Sequence, residues 1–209
     1  MLVEFCGIQG AGKTTLSREL KEQIPGATLS RGRSDRNFLI RFRLLHRILD
    51  GLKVPHLFFR CLPKARSKEE LELICRLCCY EWHKKTLDDE KVNILEESTY
   101  HALARLAGIN SGYLKLAAQI APPDIFVWVT CREDIALDRI LNRHYEIDIN
   151  HMEKNESLHA LSTRNMIISR IVSRHGKNVY KIDNTDSGKE EVAYIAKSIV
   201  NKVNSAFRN

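Results

Sequence analysis

The sequence predicts an α/β fold of three layers, in which a five-stranded, mostly parallel sheet is covered by helices on both faces. Three observations predict it. Short apolar, β-prone runs alternate along the chain with segments of helical periodicity, an order typical of parallel sheets. The chain has 209 residues, enough for one domain with a sizeable core. It contains no internal repeat and no low-complexity linker, so residues 1–209 are expected to form a single domain.

Each predicted strand is a run of aliphatic and aromatic residues that ends at glycine, proline or polar residues. The first run, Leu2 to Cys6, leads through glycines into a helix that Pro25-Gly26 ends. Ser67 followed by Glu70 has the pattern of a capping box and predicts the start of a long helix. Strands are predicted at 2–6, 27–30, 92–95, 125–129 and 178–182, and helices at about 14–24, 38–50, 67–82, within 99–120, and at 133–141, 156–175 and 190–207.

The first strand runs directly into a complete phosphate-binding loop, GIQGAGKT at residues 7–14. Glycines in such a loop let backbone N–H groups turn toward phosphates, and the following helix adds the partial positive charge of its N-terminus. Lys13 is expected to reach the β- and γ-phosphates as a catalytic cation, and the Thr14 hydroxyl to bind Mg²⁺. The sequence therefore predicts a site for ATP and Mg²⁺. Its nucleotide-binding residues are Gly10, Ala11, Gly12, Lys13, Thr14 and Thr15.

Two carboxylates, Glu96 and Glu97, follow the third predicted strand. Ligands of open α/β sheets bind at the carboxyl ends of the strands, where a carboxylate can hold Mg²⁺ or take the acceptor's proton. Adjacent strand residues point to opposite faces, so one of the two is expected to enter the site. Glu96 directly follows the apolar strand and is assigned to metal binding and catalysis. Glu97 is assigned to the acceptor side, with capping of the next helix as the competing role.

Positive charge is concentrated in one part of the chain. The formal net charge is +7, yet residues 31–66 hold ten Lys or Arg against two Asp, a net of +8. Such a segment indicates an anionic partner or a phosphorylated substrate, although a solvated helix face explains most of these side chains nearly as well. It argues against a strongly cationic acceptor. We assign residues 31–90, approximately, to the acceptor side of the domain.

Neither a membrane span nor a disulfide framework is expected. No apolar run approaches the roughly 20 residues that cross a bilayer, and the N-terminus lacks the layout of a secretion signal, so we expect a cytoplasmic protein. The six cysteines follow no framework spacing and are expected to be free thiols. Cys75 and Cys78 form a CxxC, but they lie in a helical apolar pattern that favours core packing over zinc or redox chemistry.

On these residues the chain resembles the thymidylate kinase group of nucleoside and nucleotide kinases, loosely over nearly its whole length. The opening, from Val3 to Leu16, is similar to the first strand and loop of that family. The run PDIFVWV at 123–129 and the ALDR at 136–139 are similar to its fourth strand and to the arginine that packs near adenine. The resemblance implies a P-loop NTPase fold and ATP as the phosphoryl donor.

The resemblance also implies roles for four arginines. Arg31, after the second strand, and Arg76, in the helix sequence ICRL, would bind the acceptor. Arg139 would contact the nucleotide near its adenine. Arg143 would be catalytic, at the start of a lid over residues 142–157, approximately, that closes on the γ-phosphate.

The chain departs from that family at three places. Glu96-Glu97 stands where Asp-Arg or Glu-Arg is usual, and Arg31-Gly32-Arg33 stands where Arg-Glu-Pro is customary after the second strand. Lys154 is the only Lys or Arg between positions 143 and 164. The function that we rank first is a kinase that moves the γ-phosphoryl group of ATP to a small anionic acceptor, such as a nucleoside monophosphate or a nucleoside. Its expected partners are the nucleotide and this acceptor, with no membrane and with a homodimer as the candidate assembly.

Two alternatives stay open at this point. In a polynucleotide or RNA-end kinase, the basic segment 31–66 and its phenylalanines would follow a phosphate backbone; nucleic acid is the less favoured partner, because those phenylalanines have helical spacing typical of core residues. A nucleotide-binding regulatory protein with little or no kinase activity is suggested by Glu97 and by the lid's few cations.

Overall fold

In the computed structural model, one sheet of five strands organises the chain, and all of its strand pairs are parallel. The order β2-β3-β1-β4-β5 puts the first strand in the centre. The predicted five-stranded α/β fold is confirmed, and each strand lies within one residue of its predicted bounds. The strands are β1 (Leu2–Cys6), β2 (Thr28–Ser30), β3 (Asn93–Leu95), β4 (Ile125–Thr130) and β5 (Val179–Asp183).

Helices connect the strands within the part of the chain that the structure describes, which is residues 1–30, 52, 54–96, 99–142, 153–174, 178–186 and 189–206. Two short 3-10 helices, Leu62–Lys64 and Ser111–Gln119, accompany them. The α-helices are α1 (Lys13–Gln23), α2 (Pro55–Cys61), α3 (Lys68–Lys85), α4 (Thr99–Ile109), α5 (Glu133–Leu141), α6 (Lys154–Val172) and α7 (Lys189–Ala206).

Local side-chain chemistry sets several helix ends. The Ser67 hydroxyl accepts a hydrogen bond from the Glu70 backbone N–H, 3.1 Å long, so α3 begins where the capping box predicts. Pro55 begins α2, because a first-turn proline gives up an N–H that has no helical partner. Helix α6 begins at Lys154, two residues before its predicted start, behind a capping box of Glu153 and Glu156.

The segment 99–120 was expected to be helical, and the structure divides it into two unlike helices. Helix α4 ends at Ile109, and a 3-10 helix runs from Ser111 to Gln119. The Asn110 side chain accepts a 2.9 Å hydrogen bond from the Gly112 N–H, which competes with continuation of the α-helix. Apolar spacing alone does not report such a cap.

The helices form two groups around the sheet. Helix α1 packs against α7, whereas α3, α4 and α6 pack in a row, with α5 against α6. The core between them is aliphatic and aromatic, and its largest fully buried side chains include Tyr100, Tyr113 and Phe5. Because all strands are parallel, their carboxyl ends share one edge of the sheet, where the phosphate loop and Glu96 lie.

No disulfide joins the six cysteines, all of which the structure describes, and five of them are buried. Cys75 and Cys78 lie in the core on α3, as their helical pattern predicts, and burial raises the pKa of the Cys78 thiol. A protonated, buried thiol is a poor nucleophile and a poor metal ligand. In the described part of the chain, no helix combines the length and apolar composition that a bilayer crossing requires.

Candidate nucleotide site

The phosphate loop connects β1 to α1 through glycines that adopt conformations other residues avoid. Gly10 and Gly12 have φ angles of 78° and 92°, in the left-handed region where a side chain is strained. A Cβ atom on Gly10 would lie 2.1 Å from the Ala136 carbonyl oxygen at the start of α5. The loop therefore packs tightly against the segment after β4, and Ala11 is completely buried in that contact region.

The first turn of α1 points its backbone toward the loop. Gly12 is the N-cap residue, and its carbonyl accepts hydrogen bonds from the Thr15 and Leu16 N–H groups, at 3.0 and 3.1 Å. The Thr15 side chain is exposed. The N–H groups that precede Thr15 in this turn have no acceptor within the helix. Together with the helix dipole, they favour a bound anion.

The Lys13 ammonium contacts the first two residues of the loop. Its Nζ donates to the carbonyl oxygens of Gly7, at 2.9 Å, and Ile8, at 2.8 Å. These are neutral acceptors, and a phosphate oxygen makes a stronger, charge-assisted hydrogen bond with an ammonium group. Lys13 is therefore already positioned over the loop and can exchange its carbonyl partners for phosphate.

Thr14 and Glu96, the two predicted metal ligands, meet although 82 positions separate them. The Thr14 hydroxyl donates a hydrogen bond to the Glu96 carboxylate. Glu96 directly follows β3, and its backbone N–H donates to the Ser30 carbonyl at 3.0 Å, which fixes it to the end of β2. Its side chain is almost entirely buried.

Two oxygen ligands side by side suit a hard cation. Mg²⁺ is commonly held by one or two protein oxygens, while phosphate oxygens and water complete its octahedron. The pair of Thr14 and Glu96 fits this pattern, since it lies where the phosphates of a bound nucleotide would be. Among the described residues, no group of three or more His, Cys, Asp or Glu side chains could hold a metal without such help.

Arg139 contacts the segment that follows β5. Its guanidinium donates to the backbone carbonyls of Asn184, at 2.9 Å, and Thr185, at 3.2 Å, and also to the Cys131 sulfur at 3.4 Å. In these contacts Arg139 fixes the shape of the loop after β5. Its predicted contact with the nucleotide stays a prediction.

Asn184 is a site residue that the sequence reasoning missed. Its amide nitrogen donates to the Ala11 carbonyl at 2.7 Å, and its backbone N–H donates to the Thr130 carbonyl at 2.8 Å. Asn184 thereby joins the end of β4 to the phosphate loop. The Arg139 guanidinium holds Asn184 in turn, through the hydrogen bond to its backbone carbonyl. A lone asparagine after a strand carries no sequence signal of this role.

Two more side chains contact the phosphate loop, and the sequence predicted neither contact. Arg164, on α6, donates to the Gln9 side-chain oxygen at 3.0 Å. The Nδ1 atom of His101, in the first turns of α4, lies 3.3 Å from the Gly7 carbonyl oxygen. Both belong to amphipathic helices, where sequence patterns do not distinguish a surface cation from one that faces a site.

A buried charge network lies beneath the site. The Glu4 carboxylate, on β1, accepts a hydrogen bond from the Thr99 N–H at 2.7 Å and pairs with the Lys84 ammonium at 2.8 Å. Lys84 also pairs with Glu81 at 3.0 Å. Burial by itself lowers the pKa of Lys84, but the charges and hydrogen bonds of Glu4 and Glu81 outweigh it and hold that pKa above its ordinary value. Thr99 begins α4 three positions after Glu96, so the network holds the start of the helix that follows Glu96 in the chain.

Four predicted site residues remain, and the structure describes one of them, Arg76. Arg76 is exposed on α3, among buried neighbours, and its acceptor role stays a prediction. Arg31, Glu97 and Arg143 lie outside the described residues. The same holds for most of the basic segment 31–66 and for most of the predicted lid.

Among the solved structures that share this fold are a deoxyadenosine kinase and a thymidylate kinase. Deoxyadenosine kinase from M. mycoides, solved with the products dCMP and dCDP, matches with a TM-score of 0.60 and 14% identity over 99% of this chain and 100% of its own. The same enzyme with bound dATP gives a TM-score of 0.62, also at 14% identity, over 98% and 99%. Thymidylate kinase from Candida albicans gives 0.62 and 14% identity over 96% and 91%.

No known protein family and no curated protein matches the chain in sequence. The structural likeness extends over nearly the whole chain and over nearly the whole of each solved structure. The chain therefore has the P-loop fold of thymidylate and deoxynucleoside kinases. This confirms, at the level of the fold, the resemblance that the sequence indicates.

Proposed function

We propose that this protein is an ATP- and Mg²⁺-dependent phosphotransferase that moves the γ-phosphoryl group to a small anionic acceptor, such as a nucleoside monophosphate or a nucleoside. One observation carries the proposal: the Thr14 hydroxyl, at the end of the phosphate loop, donates to the Glu96 carboxylate, while the ammonium of Lys13 lies on the Gly7 and Ile8 carbonyls of the same loop. The loop by itself binds a nucleotide, and the pair of Thr14 and Glu96 adds the oxygen ligands for Mg²⁺ that phosphoryl transfer also needs.

In the proposed reaction, an acceptor oxygen attacks the γ-phosphorus, the bond to the β–γ bridging oxygen breaks, and ADP leaves. Lys13 exchanges its loop carbonyls for phosphate oxygens and stabilises the charge that moves onto the leaving ADP. Thr14 and Glu96 would hold Mg²⁺, which when bound neutralises the negative charge of the β- and γ-phosphates.

The need for a base depends on the acceptor. A phosphate monoester is largely deprotonated at neutral pH, since its second pKa is about 6, so a monophosphate attacks without a base. A nucleoside hydroxyl would give its proton to Glu96. The +8 segment at residues 31–66 supports an anionic acceptor, and the roles of Arg31, Arg76 and Glu97 there remain part of the proposal.

We propose that the enzyme works in the cytoplasm, where six cysteines without disulfides stay reduced. The solved structures of like fold are described with deoxynucleotides, which makes nucleosides and nucleoside monophosphates the first acceptors to try. Assembly as a homodimer stays a prediction.

The test is a coupled assay of ADP release with Mg²⁺, ATP and a panel of nucleosides, nucleoside monophosphates, sugars and RNA ends. At least one acceptor should raise ADP release above the rate with ATP alone. Lys13→Ala should lower kcat by about a hundredfold or more, as expected for loss of a transition-state cation. Lys21→Ala, at an exposed position of the same helix, is the control and should keep the rate.

The metal role of Glu96 has its own readout. Glu96→Gln keeps the size of the side chain and an oxygen for Thr14 but loses the charge, so half-maximal activity should need a several-fold higher Mg²⁺ concentration. The proposal fails if no acceptor increases ADP release, or if Lys13→Ala turns over as fast as the unchanged protein.

A further inference from the structure

We propose that Arg164, on α6, contacts the terminal phosphate of a nucleotide bound in the phosphate loop. The inference rests on the proposed function and adds to it a residue that the sequence pattern does not assign. In the structure, the Arg164 guanidinium is half-buried and donates a 3.0 Å hydrogen bond to the Gln9 side-chain oxygen. Gln9 is itself the third residue of the loop, so the cation already lies at the loop.

The geometry of Lys13 indicates which phosphate lies nearest to Arg164. In loops of this kind the lysine reaches the β- and γ-phosphates. Here its Nζ lies on the carbonyls of Gly7 and Ile8, the two residues just before Gln9. The stretch 7–9 is therefore the side of the loop toward the outer phosphates, while the first turn of α1 faces the inner ones. Arg164 meets the loop on the outer side.

Helix α6 holds Arg164 in place. The Asn165 amide nitrogen donates to the Glu133 carboxylate at 3.0 Å, which ties this turn of α6 to the start of α5. Ile167 and Ile168 are buried in the core, and Ile167 lies against Gly108 of α4. A cation on a packed helix is held more precisely than one on a loop, so Arg164 can act without a large movement.

Gln9 is a partner of Arg164 that a phosphate can replace. Gln9 offers a neutral amide oxygen, whereas a phosphate oxygen carries negative charge, so the guanidinium binds the phosphate oxygen more strongly. Arginine also presents a planar fork that suits two oxygens of one phosphate. A γ-phosphate entering beside Gln9 would therefore draw the guanidinium from the amide to itself.

The sequence of the lid makes such a cation useful. Phosphoryl transfer needs positive charge over the γ-phosphate, and between positions 143 and 164 the chain offers only Lys154, at the exposed start of α6. Arg164 would supply this charge from a fixed helix. It is thus a phosphate-binding residue for the proposed reaction, distinct from the arginine predicted to begin the lid.

The experiment compares binding of a non-hydrolysable ATP analogue with binding of ADP, both with Mg²⁺, by isothermal titration. Arg164→Gln should weaken the analogue about tenfold or more and ADP less than about threefold, because ADP lacks the phosphate concerned. Arg164→Lys should restore part of the loss. Arg170→Gln, at an exposed position on the same helix, is the matched control and should change neither affinity.

Gln9→Ala separates phosphate binding from packing of the loop. It removes one partner of Arg164 and leaves the cation, so any change in the loop should affect the analogue and ADP alike, and the ratio of their affinities should stay that of the unchanged protein. A selective loss of the analogue by about tenfold or more would show that the contact with Gln9 only shapes the loop, and would overturn the inference. Because Gln9→Ala keeps Arg164, it gives this answer even if Arg164→Gln does not fold.

The outcomes also separate this inference from the proposed function. If the unchanged protein binds neither nucleotide, both are overturned. If it binds both nucleotides and Arg164→Gln weakens them equally, or weakens neither, the inference about Arg164 is wrong and the proposed function stands.

Discussion

Replacing Lys84 with methionine would leave the carboxylates of Glu4 and Glu81 buried without their cation. The Lys84 side chain is 5% exposed, and it pairs with Glu4 and Glu81, which are 0% and 8% exposed. It also donates to the Ala121 carbonyl at 3.3 Å and lies 5.3 Å from the centre of the Tyr100 ring. Lys84→Met is therefore expected to destabilise the fold strongly, because two carboxylates would be buried together without a counter-ion.

The magnitude follows from the burial of the network. Removing one partner of a buried ion pair costs about 3–5 kcal/mol in the free energy of unfolding. For a domain of this size each kcal/mol lowers Tm by roughly 2–4 °C, so Tm should fall by about 6–20 °C. The triple variant Lys84→Met, Glu4→Gln, Glu81→Gln should recover part of this loss, since it leaves no charge buried.

Urea unfolding followed by circular dichroism measures the effect. Lys85→Met, at the exposed neighbouring position on α3, is the control and should change the free energy of unfolding by no more than about 0.5 kcal/mol. If Lys84→Met costs less than about 1 kcal/mol, or if the triple variant is no more stable than Lys84→Met alone, the charge argument is refuted.

The same network should make the free energy of unfolding depend on pH in the alkaline range. The pKa of Lys84 is raised above its ordinary value of 10.5 by its two carboxylates. Its contribution to stability is therefore complete below pH 10.5 and is lost as the pH rises through the higher pKa of the folded protein. The unchanged protein should lose more stability than Lys84→Met over that alkaline range, and parallel losses would contradict the assignment.

Two further predictions concern the phosphate loop. Gly10→Ala should cost about 2 kcal/mol or more in unfolding free energy and weaken nucleotide binding, because its Cβ would meet the Ala136 carbonyl at 2.1 Å. Gly26→Ala is its control, since Gly26 has a similar φ of 74° with no atom within 4 Å; equal losses would show that φ strain and not the clash is responsible. Asn184→Ala should weaken ATP binding several-fold in titration calorimetry, because the 2.7 Å hydrogen bond to Ala11 is lost, and unchanged affinity would show that this bond does not organise the loop.

Local sequence was sufficient for the elements that local chemistry controls. The loop at residues 7–14 could be predicted because phosphate binding needs glycine, lysine and threonine at fixed spacing. The start of α3 at Ser67 could be predicted because a cap involves residues only three positions apart. The strands could be located because parallel, buried strands are short continuous apolar runs.

The end of α4 at Ile109 shows where such reasoning fails. Apolar spacing continues through residue 120, and a single side chain, Asn110, changes the helix type. Likewise Arg76 and Arg164 look alike in sequence, since each lies in an amphipathic helix. In the structure Arg76 is exposed, whereas Arg164 reaches Gln9 across 155 positions.

The sequence by itself determined that this protein has a phosphate loop on an α/β sheet, because those features depend on neighbouring residues. Only the tertiary structure decided what surrounds the loop: Glu96 at Thr14, Asn184 at Ala11, and Glu4 with Lys84 beneath them. The physical reason is that parallel strands bring distant segments to one edge of the sheet. Which side chain then meets which depends on how the helices pack, and no pattern of adjacent residues records that.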